Sequence, residues 1–118
     1  LRYAESSLYR NPSLNYLRNV CAHHSRLWNR NVVDQPKLPA VGEVPALDGF
    51  QGNPNASLRA RPFVLLCICQ HLMTVINPSS GWGQRLVSLL QRDFPDLRHV
   101  GLTLNGMGVD ASWEQRAW

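Results

Sequence analysis

At 118 residues, 44% of them hydrophobic, the chain is one domain with a single modest core, large enough to fold alone but with little surplus. Its net charge of +4 comes from twelve basic residues, eleven of them Arg with Lys37 the one lysine; that bias suits bidentate phosphate contacts, although a solvated basic surface explains the charge as well. Three cysteines, Cys21, Cys67 and Cys69, form an odd set inside apolar runs, which argues against a disulfide framework and for reduced thiols in the cytoplasm.

The chain opens on Leu1, not Met, and Tyr3 to Tyr9 read as the tail of an element, so a fragment of a longer protein is expected. Ser13, after Pro12, is a plausible N-cap, and from Leu14 to Trp28 there is neither Gly nor Pro. At about 100° per residue, Leu14, Leu17, Val20, Cys21, His24, Leu27 and Trp28 fall on one apolar arc of a helix. Asn19, His23, Arg26 and Arg30 fall opposite. His24 thus reads as a structural histidine, and His23 as a solvent-facing imidazole with polar neighbours one turn to either side. Arg18 and His23 are five positions apart, about 140° around the helix, and do not share a face.

Val32 to Ala56 carries prolines at 36, 39, 45 and 54 and glycines at 42, 49 and 52, with neither helical nor alternating periodicity. Residues 33–57 therefore read as a long Pro/Gly-rich surface loop, either closing over a cleft or serving as a mobile connector. Phe63 to Ile76 is the longest apolar stretch, broken by Gln70 and His71. It is too short and polar to span a membrane and predicts a buried central helix with Pro62 in its first turn and a stop at Asn77-Pro78. After Ser79-Ser80, Trp82, Leu86, Leu89 and Leu90 recur at helical spacing up to Phe94-Pro95. Gly106 to Trp113 is too Gly-rich for a regular element.

The string Arg-Asn-x-Cys-Ala-His-His-x-Arg-Leu-Trp-Asn-Arg over residues 18–30 resembles the signature helix of the bacterial Abi-like (abortive infection) proteins of the HEPN superfamily. Its core is an Arg followed by a polar residue and then a His, here Arg18, Asn19 and His23. The tail resembles the Met-Gly-Phe-Pro-x-x-Trp ending of the same family, with Val109 and Asp110 where Phe and Pro are usual. The two stretches lie near opposite ends of the chain. The resemblance implies a mostly α-helical, HEPN-like bundle, of which residues 1–118 would be the C-terminal fragment.

It also implies a metal-independent endoribonuclease acting in phage defence. Arg18 would bind the scissile phosphate, His23 would transfer a proton, Asn19 would orient them, and Arg26 and Arg30 would guide RNA. The expected product is a 2′,3′-cyclic phosphate, formed by attack of the RNA 2′-hydroxyl. The chemistry suits the residue types: an imidazole exchanges protons near neutral pH, while a guanidinium keeps its charge and offers paired donors to phosphate oxygens. The 140° offset calls for a second motif copy, so a homodimer is expected. No cofactor is called for, since Cys67 and Cys69 are two apart on a helix and make poor joint ligands with Cys21, His23 or His24. Two other readings stay open: an inactive RNA-binding or toxin–antitoxin interaction module with an antitoxin or regulatory partner, and a structural helical domain.

Overall fold

The computed structural model describes residues 12–23, 25–32, 35–109 and 113–115. Among them the ordered elements are helices and single helical turns around one hydrophobic core. The Cα radius of gyration is 14.0 Å, near the roughly 13.5 Å of a folded chain of this length. His24, Asp110 and the stretch from Leu1 to Tyr9 lie outside the described residues, so the readings made for them stay at the level of sequence.

Helix α1 spans Pro12–Ala22. Proline suits a first helical position, where a backbone N–H would have no intrahelical partner. Ser13, expected to cap the helix, lies inside its first turn and is fully buried with Leu17 and Val20. The helix stops six residues before Trp28, where the apolar spacing carries it. His23 N–H still donates to the Asn19 carbonyl at 3.1 Å, and Ser25 N–H reaches back five residues to the Val20 carbonyl at 3.0 Å, a bond that closes a helix end. Beyond it, tertiary contacts outweigh the helical repeat. The Trp28 indole N–H donates to the Thr103 carbonyl at 2.7 Å, Arg61 Nη1 donates to the Asn29 carbonyl at 2.6 Å, and Val32 N–H donates to the Ala60 carbonyl at 2.7 Å.

The stretch read as a surface loop is part of the core. Val44, Leu47 and Phe50 are each 0–1% exposed, and Pro45–Phe50 form a 3₁₀ helix. Residues three apart eclipse one another on such a helix, so the three side chains descend together into the interior. Polar groups brace the segment from outside. Arg59 Nη1 donates to the carbonyls of Phe50 and Gly52 at 2.6 and 2.8 Å, Gln51 Nε2 donates to the Pro39 carbonyl at 2.6 Å, and Gly42 N–H donates to Asp48 Oδ1 at 3.1 Å. Gly42 and Gly52 have φ of 92° and 85°, in the left-handed region where a Cβ is strained.

A short helix α2 (Ala56–Arg59) leads into α3 (Pro62–Ile76), which buries Phe63, Val64, Leu65, Cys67, Ile68 and Leu72 and ends at Asn77. Both ends agree with the Pro62 start and the Asn77-Pro78 stop. Phe63 is the centre of the core: its ring lies 6.3 Å from Phe50 and 6.2 Å from Trp113, the latter edge to face at 80°. Burying a side chain of that size stabilises the fold by about 1.5–3 kcal/mol. Helix α4 (Trp82–Ser88) begins where Ser80 Oγ accepts from Trp82 N–H at 3.2 Å, and it continues as a π-helical turn over Leu89–Asp93. It approaches α3 at Gly83, where a Cβ would lie 2.5 Å from Gln70 Nε2, so only glycine fits without displacing that side chain.

The glycine-rich tail is ordered through its contacts. Thr103 Oγ1 caps a 3₁₀ turn, Leu104–Met107, by accepting from Asn105 N–H, and Met107, Val109 and Trp113 are buried in the core. A Cβ on Gly106 would meet the Trp28 ring, and one on Gly108, at φ 89°, would lie 2.5 Å from Arg61 Cβ. The two stretches that resemble Abi-like proteins therefore touch.

Candidate functional site

The candidate residues divide at the end of α1. Arg18 and Asn19 lie on the helix and His23 on the turn that follows, and all three are exposed to solvent. Arg18 Nη2 donates to Asn19 Oδ1 at 3.2 Å, so the amide and the guanidinium form one polar unit. His23 is tied to that unit through the backbone by its N–H bond to the Asn19 carbonyl. Because this bond keeps the helical register, the angular offset between Arg18 and His23 persists even though the helix has ended at Ala22.

Arg26 and Arg30 do not continue the helical face on which the apolar pattern puts them, since residues 25–27 are irregular and 28–29 form a turn. Arg26 is exposed, and among the described residues its guanidinium has no carboxylate partner. Arg30 is half-buried and turned back on its own segment. Its Nε donates to the Arg26 carbonyl at 2.9 Å and its Nη1 meets the Tyr16 hydroxyl at 3.5 Å, linking the irregular segment to α1. Arg30 is thus a brace as much as a free cation, and Tyr16 is a neighbour that the helical wheel gives no reason to select.

Other arginines of the basic excess also hold the fold together. Arg59 and Arg61 donate to backbone carbonyls, and Arg98 pairs with Asp96 at 2.8 Å on the surface. The cations left for a ligand near α1 are therefore Arg18 and Arg26. The C-terminal end of a helix carries partial negative charge from its last carbonyls, so an anion there depends on these side chains and not on the backbone. The same dipole makes basic residues favourable at a helix end without any ligand, which is the structural explanation that competes with a binding role.

Cys67 is buried and Cys69 half-buried on α3, while Cys21 is exposed. Among the described residues no three His, Cys, Asp or Glu side chains converge in a way that holds a metal ion. None of the described helices is long and apolar enough to cross a membrane. No family model matches the chain, and no curated protein and no solved structure matches it significantly.

Proposed function

We propose that the protein is a metal-independent endoribonuclease of the HEPN type, acting in phage defence, and that this chain supplies one copy of a composite site. The observation that carries the reading is the exposed Arg18–Asn19 pair with His23 hydrogen-bonded through its backbone to the same asparagine. A guanidinium and an imidazole at fixed spacing meet the two needs of 2′-hydroxyl attack: neutralising charge on the phosphorane and moving a proton. Asn19 holds Arg18 from below, and Arg26 extends the positive surface along which RNA lies.

The His23 imidazole has no hydrogen-bond partner among the described residues. A proton-transfer group needs one to fix its tautomer and direction, and in a homodimer the second copy of the motif supplies it. The same observation favours a second reading, an RNA-binding module without cleavage, for which an unoriented imidazole is no handicap. An antitoxin or other regulatory partner would then cover the exposed Arg18 and Arg26.

The deciding experiment is incubation of the protein with RNA in the presence of a chelator, followed by analysis of the product ends. Cleavage leaving a 2′,3′-cyclic phosphate supports the proposal. Chelator-sensitive cleavage restored by magnesium, with 3′-hydroxyl ends, rejects it. Binding that survives His23→Ala in a protein that never cleaves selects the binding module.

A further inference from the structure

The three cysteines occupy different settings on two packed helices. Cys21 is exposed in the last turn of α1, one turn on from the buried Leu17, while Cys69 sits half-buried against the core on α3, one turn on from the buried Leu65. Helices α1 and α3 pack against each other. Cys67, two residues from Cys69, is rotated about 200° away around α3 and is buried. Burial, and after it the nearby Cys21 sulfur, push the Cys69 thiol above its ordinary pKa. The second cause means that charge on one sulfur opposes charge on the other, an effect that requires the two to be near neighbours across the α1–α3 contact.

We propose that Cys21 and Cys69 form a reversible redox pair in which hydrogen peroxide closes a disulfide that clamps the end of α1 to α3. The exposed Cys21 thiolate attacks the peroxide: an S–O bond forms, the O–O bond breaks, and hydroxide leaves and takes up a proton as water. Cys69 then gives up its proton and its sulfur attacks the Cys21 sulfenic acid, forming the S–S bond as the S–O bond breaks and a second water departs. Two thiols lose two electrons and one peroxide becomes two waters. Exposure sets the order, because the peroxide reaches Cys21 and the burial of Cys69 keeps it protonated until the sulfenic acid lies beside it.

The bond would tie together two segments far apart in the chain and raise thermal stability by restricting the unfolded state. Cys21 lies between Asn19 and His23, so the clamp would also stiffen the candidate RNA site. That last consequence rests on the function proposed above, whereas the cross-link does not.

The test uses the whole chain under native conditions, treated with hydrogen peroxide, quenched by alkylation and mapped by non-reducing peptide mass spectrometry, with no activity assay involved. The expected result is a Cys21–Cys69 peptide pair within one chain, with Cys67 still alkylated, a rise in Tm, and full reversal by dithiothreitol. Cys67→Ser should keep the cross-link, and Cys21→Ser should abolish it. Oxidation of Cys21 that proceeds to sulfinic acid with Cys69 still alkylated, a link only between two chains, or a link to Cys67 each overturns the proposal. Because the wild-type map decides alone, a folding defect in any variant does not obscure the outcome.

Discussion

Gly106 lies so close against the indole of Trp28 that a Cβ there would come within 2.5 Å of Cζ2 and 2.9 Å of Cε2. The contact joins the irregular segment after α1 to the tail, and the Trp28–Thr103 hydrogen bond fixes its direction. Whatever function Arg26 and Arg30 have, their positions depend on this seat.

Gly106→Ala should destabilise the protein by about 1–3 kcal/mol through overpacking. Chemical denaturation should show the lowered midpoint, and adding Trp28→Leu should recover part of the loss, since the smaller side chain leaves room for the new methyl. A Gly106→Ala midpoint equal to that of the wild type would mean that the indole is seated elsewhere.

Phe50→Ala should cost about 3–5 kcal/mol, as a large side chain deleted from a packed core does. Val41→Ala, nine residues earlier on a side chain that is 71% exposed, should stay within about 0.5 kcal/mol. The contrast in thermal melts separates a core segment from a connector: near-equal effects would return the stretch to the surface.

His23→Ala and Arg18→Ala should each abolish RNA cleavage while leaving Tm almost unchanged, because both residues are exposed. Mixing the two inactive chains should restore part of the activity if each cleft draws its Arg and its His from different copies. Activity from a protein shown to be monomeric, with one motif per molecule, would refute the composite site.

Asp96 should titrate below the usual carboxylate range, held there by its hydrogen bonds from Arg98 and by the charge of the guanidinium. A depressed carboxyl favours the charged form, so the pair is intact above the ordinary range and is lost as pH falls through the lowered value. Both groups are fully exposed, and the readout is therefore the carboxyl chemical shift and not a melting curve. Arg98→Ala should return the Asp96 titration to its usual range; an unmoved curve would assign the shift to another cause.

Sequence periodicity identifies α3 well because both of its ends are marked by chemistry, a proline that fits a first turn and an Asn-Pro that cannot prolong the last. It fails at the end of α1, where Leu27 and Trp28 keep the helical spacing but are held by residues more than seventy positions away. Distant carbonyls leave no trace in local pattern. The segment around Val44, Leu47 and Phe50 did carry a signal, a spacing of three directly around Pro45, but prolines and glycines on either side mask it. Of the candidate site, the motif shows which residues belong together by type. That Arg30 braces Tyr16, and that Arg26 leaves the helical face, follow only from where the helix stops.

The order in which the chain is made gives the aromatic trio a further meaning. Helix α3 emerges from the ribosome with Phe63 and its apolar neighbours, yet Met107, Val109 and Trp113, which complete their cover, are translated last. At about 5–20 residues per second, that hydrophobic helix stays incompletely shielded for several seconds of synthesis. A nascent chain stalled before Trp113 would be a target for chaperones and proteases, and in it Trp28 would also wait for Thr103 before the cations beside α1 took their final places.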